Sequence, residues 1–444
     1  MNSAERSGFH IVSLVTNNAV GDSRVLKSAQ TLADNGFRVT LLCQLIGDVP
    51  KSEVSGSFTI ERVTPNVKAS TRRITPLGPL RYLLKVPNSY VRYGARLIAP
   101  DFLFWRWAGP VLLKISPKFL YPCWPLLTDG ERTFSQKLDQ LAPDVIHAND
   151  CDTLGIALRA KARAAKAGKR IAVIYDAHEY VQGVHRKHPM WAIAMSKLEA
   201  QSIHEVDLVM TVSETIAQML QSDYKLKQTP TVVLNAPRRI QPAVDPVLQT
   251  IRHKIGLAED VPLHVYVGAA APQRGLSTMV DALVGAPDHH IALVVNPANA
   301  YVKKELARAE TLKVGDRVHV HPYVPEWYVS TFVSDATSGV IPILHYPNHE
   351  ISLVTKFFEY LHAKLPIIVS DMKTMAAEVK LRGNGVVFTA ENSSELATAF
   401  KEIALNRSKY VAAITPNLLD EYAWEHQGDK LLAAHDHLAQ LSRG

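Results

Sequence analysis

Two successive runs of alternating strand and helix patterns constrain this chain more than any other feature. The first run opens with HIVSLV, a short apolar strand, and SRVLKSAQTLADNG, a helix that places Val25, Ala29, Leu32 and Ala33 on one face and stops at Gly36. FRVTLLC, DVIHA, the helix TLGIALRAKARAAKAG, IAVIYDA and DLVMTVS follow; then come the helix ETIAQML, with Ser213 as its N-cap, and TVVLNAP. The second run restarts near Leu263. LHVYVG, HIALVV, RVHVH, SGVIPI, PIIVS and GVVF read as strands, separated by helices such as GLSTMVDALVG, VKKELARAETL and EWYVSTFVS. Strands of this length alternating with helices predict parallel sheets with helices on both faces. The Pro-rich NAPRRIQPAVDPVLQT between the runs reads as a hinge or linker. A chain of 444 residues exceeds one core. The expected fold is therefore α/β, with two doubly wound Rossmann-like domains facing across a cleft. Ligands in such sheets bind beyond the carboxyl ends of the strands, at helix N-termini.

Several functions are poorly supported. No G-x-G-x-x-G follows the first strand, whose loop is TNNAVGDSR, and there is no Walker A sequence. Hydride transfer with NAD and P-loop phosphoryl transfer both lose support. Cys43, Cys123 and Cys151 are scattered without pair or metal spacing, which fits a reducing compartment and gives no zinc site. MNSAERSGFH lacks an apolar signal core, and no run of 18 apolar residues occurs, so a cytoplasmic protein without a spanning helix is expected.

The net charge of +7 is concentrated in one region. Lys68 to Lys118 holds ten basic side chains and one acid, Asp101; this +9 leaves −2 for the remainder. Tyr82, Tyr90, Tyr93, Phe102, Phe104, Trp105 and Trp107 are interleaved with the cations. Basic, apolar and aromatic residues together are the composition of an interfacial membrane contact. An ordinary helical subdomain has the same composition. Nucleic-acid binding is disfavoured by the near-neutral remainder and by the absence of a nucleic-acid module.

HEISLVTKFFEYLHAKLPIIVSD combines an amphipathic helix with a buried strand. At 100° per residue Leu353, Val354, Phe357, Phe358 and Leu361 share one side, while Lys356 and Glu359 fall on the other. Taken alone, Lys356 and Glu359 read as a surface ion pair at i, i+3.

In order along the chain, DSRVLKSAQTLADNGFRVTLL, PDVIHANDCDTLGIAL, IYDAHEY, VDLVMTVSETIAQML, VVLNAP, VGAAAPQRGLSTMVDAL and TKFFEYLHAKLPIIVSD resemble the family-4 retaining glycosyltransferases of the GT-B architecture. The resemblance spans Phe9 to about His437, except the basic insert. It implies transfer of a sugar from a nucleoside diphosphate sugar, with retention at the anomeric carbon and with no metal or other cofactor. It also implies an acceptor-side domain over 1–237 carrying the insert at 68–127, a nucleotide-sugar domain over 238–422, and a helical segment over 423–444 that packs back on the first domain.

The resemblance implies site residues one by one. The family carries two glutamates with seven residues between them. The second maps to Glu359, which would accept hydrogen bonds from the donor ribose hydroxyls. The first would fall on Ile351; Glu350, one residue early, is the candidate to reach the sugar as a catalytic carboxylate through a shifted loop. Backbone N–H groups from Ser352 to Thr355 would meet the diphosphate, with Lys356 as an added cation. In the loop from Gly268 to Gly275, Arg274 matches the second of two basic positions, and Ala269 or Ala270 stands at the first. His178 in YDAHE would line the sugar pocket as the other catalytic residue. His147 in VIHAND reads equally as packing or site. Asp22 and Arg24 are the polar candidates of the first loop, over the acceptor; Asp22 reads equally as a helix N-cap. Trp424 reads as a packing residue.

The expected function is a cytoplasmic glycosyltransferase at the inner face of a membrane, with a glycan or lipid-linked acceptor, an anionic membrane surface as partner and no nucleic acid. A sugar-nucleotide-binding protein without transferase activity, a sugar-nucleotide epimerase and a two-lobed solute-binding protein are the alternatives. The insert supplies a test. Each basic side chain near an anionic leaflet contributes about 1 kcal/mol, so four or five on one face give roughly 4–5 kcal/mol, screened over about 8 Å at physiological salt. Binding to anionic liposomes should fall as salt rises, and replacing Arg72, Arg73, Arg81 and Lys85 by Gln should release the protein. Indifference of the natural protein to anionic liposomes at low salt would end the membrane reading.

Overall fold

The computed structural model describes residues 1–67, 120–124, 126–184, 189–239 and 249–443. The basic, aromatic-rich stretch from Lys68 to Lys118 lies outside the described residues. The chain divides into two compact units: Met1–Val232 with Lys430–Gly444, and Val233–Asp429.

In the first unit, eight strands form one sheet: β1 (His10–Leu14), β2 (Arg38–Gln44), β3 (Ser52–Ser55), β4 (Phe58–Val63), β5 (Val145–Asn149), β6 (Ala172–Ala177), β7 (Leu208–Thr211) and β8 (Thr231–Val232). Their order is β3-β4-β2-β1-β5-β6-β7-β8, parallel throughout except for β3 against β4. All five residues of β1, all five of β5 and all six of β6 are buried, as expected of central parallel strands covered on both faces. Helices α1 (Ser23–Asp34), α2 (Leu126–Leu141), α3 (Cys151–Lys166) and α4 (Glu214–Tyr224) belong to this unit. One core layer joins Val12, Leu14, Ile146 and Val173 of the sheet to Phe134, Leu138 and Ile156 of α2 and α3. The order reverses at β1, which pairs β2 on one side and β5 on the other. The carboxyl ends of β1 and β5 thus mark a switch point.

The second unit has six parallel strands: β9 (Leu263–Val267), β10 (His290–Val294), β11 (Val318–His321), β12 (Ser338–Ile341), β13 (Ile367–Ser370) and β14 (Gly385–Phe388), in the order β11-β10-β9-β12-β13-β14. Here the switch lies at β9, between β10 and β12. Its helices include α5 (Leu276–Gly285), α6 (Thr355–His362) and α7 (Lys373–Arg382). The last helix, α8 (Trp424–Arg443), begins in this unit and contributes its residues from Lys430 onward to the first. No described helix is long and apolar enough to cross a membrane.

The single amphipathic helix expected through Leu353 to Leu361 is broken. A short helix, Pro347–Ile351, ends at Ser352, whose backbone is extended (φ −102°, ψ 141°), and α6 starts only at Thr355 behind Val354. Ser352 Oγ donates to the carbonyl of Asn348 at 2.5 Å, the acceptor that Ser352 N–H would use in a continuous helix. Leu353 and Val354 therefore lie outside the helical stripe, and Ser352 is not in the first turn of α6.

Tyr360 fixes α6 on the sheet. Its hydroxyl accepts from Val267 N–H at 3.0 Å and donates to the Val265 carbonyl at 3.2 Å. Its ring lies against Gly339, where a Cβ would come within 2.2 Å of it. Tyr360→Phe keeps the ring and strips a buried N–H of its acceptor, a loss of about 1–3 kcal/mol. Urea unfolding that shows no change in midpoint would mean that the hydroxyl contributes nothing.

Candidate active site

In the first unit, the chemistry gathers around Asp176, near the carboxyl end of β6. Its carboxylate is fully buried, and Arg24 grips it with two bonds, Nε to Oδ2 at 2.9 Å and Nη2 to Oδ1 at 2.8 Å. Two imidazoles share Oδ2: His147 Nε2 and His178 Nε2, each at 3.3 Å. Burial alone would raise the Asp176 pKa; Arg24 and then His178 outweigh it and hold the carboxyl well below its usual range.

Arg24 is thus a buried counter-ion, reached from the first turn of α1, and not an exposed loop side chain. Asp22 is the N-cap of that helix: it accepts from Val25 N–H at 3.5 Å and from Asn17 Nδ2 at 2.7 Å. Arg24 therefore presents no open polar group over the loop, contrary to the expectation from sequence, and Asp22 takes the N-cap place that the sequence also offered. The loop's turn geometry uses Ala19 (φ 66°) and Gly21 (φ 72°).

His178 follows β6 and keeps some solvent contact. Its other ring nitrogen, Nδ1, lies 3.4 Å from Asp150 Oδ2. Burial lowers its pKa, but Asp150 and Asp176 together outweigh this and push it up to about 10. Asp150 follows β5 with a positive φ of 64° and caps α3 without a side-chain bond to it; its carboxylate faces His178 instead. A non-glycine residue in this region costs about 1–3 kcal/mol and tends to occur where geometry is functional. The signal for Asp150 was present in the HAND motif, since a strand end followed directly by a helix is where such sheets bind ligands. His435 on α8 completes the group, with Nε2 3.3 Å from His147 Nδ1. Nothing in its local sequence marks it.

In the second unit, the switch point gathers two cations. After β9, Gly268 adopts φ 133°, and a Cβ there would come within 3.0 Å of Lys356 Nζ. Glycine thus lets the amine approach the loop. Gly275 has φ 69°, and a Cβ would lie 1.8 Å from the Pro342 carbonyl, so the turn that carries Arg274 is pressed against the end of β12. Among the described residues neither Arg274 nor Lys356 forms an ion pair. Lys356 Nζ stands 5.3 Å from the centroid of the Tyr266 ring. Burial, then repulsion from Arg274, bring its pKa down to about 8 against the pull of Glu359. Two unpaired cations beside the first turn of α6 form an anion-binding arrangement.

The two glutamates differ from their expected settings. Glu359 is 9% exposed and lies within α6, so it is buried and not on a solvated face. Its main-chain carbonyl accepts from Ser330 Oγ at 3.1 Å. Glu350 has both oxygens engaged: Oε1 with His345 Nδ1 at 2.5 Å, Oε2 accepting from Lys373 N–H at 3.1 Å. It caps the first turn of α7. Burial would raise its pKa, but these bonds hold it below the usual value. Trp424 is buried, and its main-chain N–H donates to the Pro237 carbonyl at 2.8 Å. Among the described residues no group of three or more side chains has the makings of a metal site.

Comparison with known proteins places the chain. The model described as Glycosyltransferase Family 4 matches residues 23–236, and that described as Glycosyl transferases group 1 matches residues 248–417. Among solved structures, a sucrose-phosphate synthase from Thermosynechococcus elongatus aligns with a TM-score of 0.69 and 14% identity over 97% of this chain and 99% of its own. HepE of Anabaena, solved with UDP-glucose, aligns with a TM-score of 0.65 and 14% identity over 97% and 100%. An E. coli trehalose-6-phosphate structure, solved with UDP-2-fluoro glucose, gives 0.63 and 12% over 97% and 99%. At such identities these likenesses speak to the fold alone. No curated protein sequence matches the chain.

The Arg24–Asp176 pair yields a stability prediction. Removing one partner leaves a buried charge uncompensated, so Arg24→Met and Asp176→Asn should each cost about 3–5 kcal/mol, and the double variant with Asp176→Leu should recover much of it. The Asp176 pKa is depressed on folding, so its contribution is full above the unfolded carboxylate value and fades as pH falls toward the folded one. Urea midpoints across pH would read both effects; single variants as stable as the natural protein would show the pair to be replaceable.

Proposed function

The chain belongs to the family-4 glycosyltransferases of the GT-B architecture, and on that premise we propose that it transfers a sugar from a nucleoside diphosphate sugar with retention at the anomeric carbon and without a metal ion. The observation that carries this reading is the unpaired pair, Arg274 and Lys356, at the carboxyl end of β9. A departing nucleoside diphosphate needs its growing negative charge met in the transition state. A guanidinium and an ammonium beside a helix N-terminus can supply that charge, a task that a divalent cation performs in other enzymes. Arg274, Lys356 and the N–H groups at the start of α6 are the proposed diphosphate contacts, with Gly268 and Gly275 admitting them. Ser352 joins them only through its backbone, because its hydroxyl is held by Asn348.

Glu359 is the proposed acceptor for the ribose hydroxyls, with its carboxylate anchored by the packed helix around it. His178 is the proposed contact to the transferred sugar or the acceptor hydroxyl. The structures solved with UDP and UDP-glucose make uridine diphosphate sugars the first donors to test. A glycan or lipid-linked acceptor, and a place at an anionic membrane surface inside the cell, rest on the composition of the Lys68–Lys118 segment.

One observation favours a second reading, a sugar-nucleotide-binding protein that does not transfer. Ile351 stands where the family has its first glutamate, and both oxygens of Glu350 serve as a cap and an ion pair. Release of nucleoside diphosphate that requires an acceptor separates the two readings: transfer demands it, and binding alone shows saturation without release.

The cations yield a test that does not need the acceptor. A nucleoside diphosphate at a hundredfold excess over its Kd should stabilise the protein by about 2.7 kcal/mol. A bound diphosphate raises the Lys356 pKa above its free value of about 8, so the complex holds more protons than the free protein above that pH. Affinity should therefore fall as pH rises through 8, and Lys356→Met should weaken binding and remove that limb. Arg274→Ala should weaken the diphosphate more than the bare nucleoside. Calorimetry showing pH-independent affinity, or equal losses for both ligands, would deny these side chains the diphosphate.

A further inference from the structure

The buried histidines of the first unit form a line whose proton positions follow from its far end. A carbonyl oxygen can only accept a hydrogen bond, and the Leu431 carbonyl lies 2.8 Å from His435 Nδ1. His435 Nδ1 therefore carries a proton. The ring is fully buried, and burial, followed by repulsion from His147, keeps it neutral with a pKa near 3. Its Nε2 is consequently a lone pair. His147 Nδ1, 3.3 Å away, must donate to that lone pair. The other nitrogen of His147, Nε2, faces Asp176 Oδ2, the same oxygen that His178 Nε2 approaches; an ionised carboxylate can only accept, so with both contacts made the His147 ring donates from both nitrogens.

We propose that His435 is a positioning residue for sugar transfer: by accepting from His147 Nδ1 it fixes the ring orientation of His147, and through the shared oxygen of Asp176 it fixes the ring of His178. This rests on the reading that His178 serves transfer. The device uses a helix from the end of the chain to set a residue at the carboxyl end of β6. His435 touches neither substrate nor reacting atoms, and the relay passes through groups that are all buried except His178 and Asp150. The charged and titratable groups that face it are Arg24 from α1, Asp176 from β6, Asp150 at the end of β5, and Asp436 on α8. Asp436 is itself paired with Arg6 at 2.7 Å. Arg24 holds Asp176 ionised across the physiological range, so rotation of the His147 ring away from Oδ2 is the freedom that His435 removes.

The test combines ring nitrogen-15 spectra of histidine-labelled protein with steady-state kinetics. In the natural protein, His435 should show a protonated Nδ1 and a lone-pair Nε2, and His147 Nδ1 should be protonated. His435→Phe keeps the aromatic volume and removes the acceptor. It should give a His147 nitrogen with lone-pair character, shift the His178 signals, and lower kcat roughly tenfold with the donor KM within about twofold. His435→Gln offers an amide oxygen to His147 and should restore most of kcat. The proposal is overturned if His435 shows the opposite tautomer, a result that needs no variant to fold. It is equally overturned if the Phe variant keeps kcat and the His147 and His178 signals, or if Gln falls as far as Phe, the pattern of a residue that merely fills space. Should the natural protein transfer no sugar from any nucleoside diphosphate sugar, the functional reading falls, while the ring spectra still decide the relay.

Discussion

A carboxylate without solvent organises the first unit. Asp176 sits on a central strand, where burying an ion is costly unless opposite charge and hydrogen bonds surround it. Three elements supply those partners: Arg24 from α1, His147 from β5 and His178 from the residues after β6. Each is thereby tied to one point at the carboxyl end of the sheet. The arginine could not be replaced by a lysine on equal terms, because its two parallel bonds set an angle as well as a charge. The same oxygen that accepts from Arg24 Nε also faces both imidazoles, so the orientation of His178 depends on how the other donors share Asp176. A surface aspartate at this position would leave His178 free to turn.

The second unit reaches rigidity by different means. Its anchor is neutral: the Tyr360 hydroxyl bridges two backbone groups of β9, and its ring fills the space that Gly339 leaves. The helix so fixed carries Lys356 and Glu359 on neighbouring turns. Gly275, pressed against the Pro342 carbonyl, fixes the turn that holds Arg274. Packing and backbone geometry place the charged groups, and Glu359 on the same helix exerts an attraction on Lys356.

The architecture was legible in the sequence because it rests on local signals. Apolar runs such as HIVSLV and IAVIYDA became buried parallel strands, and Gly36 and Ser213 marked helix ends where they were expected. The hairpin of β3 and β4 went unread: its strands are short and half exposed, so their alternation is easily taken for a loop. EWYVSTFVS, expected as one helix, is a 3₁₀ turn at Glu326–Tyr328 followed by a helix of five residues. The break at Ser352 was hidden because a serine hydroxyl taking a backbone carbonyl leaves no mark in hydrophobic periodicity. In the site, single residues were legible and their partners were not. YDAHE marked His178 at a strand's carboxyl end and the family resemblance singled out Arg274 in the loop after β9; the structure sets both just beyond strands, and their roles remain proposals. The bidentate link from Arg24 to Asp176 spans 152 positions, and that from His147 to His435 spans 288. Such pairings are set by sheet order, which a single sequence does not encode locally.

The two units differ in how far they satisfy their charges, and this difference has a chemical consequence. Around Asp176 the opposite charges are matched within the fold, so the arrangement holds its geometry whether or not a ligand is present. Around Gly268 two like charges stand near one another, and burial, followed by repulsion from Arg274, lowers the Lys356 pKa against the pull of Glu359. Glu359 offsets part of that repulsion, and an arriving anion would relieve more of it. Holding both cations in place without one is therefore a standing cost, borne by the packing of α6 through Tyr360 and by the turn at Gly275. An anion that enters recovers this energy as binding, and one that gains charge as a bond breaks recovers more of it in the transition state than in the ground state. That is the condition for electrostatic preorganisation to accelerate a reaction and not simply to tighten binding.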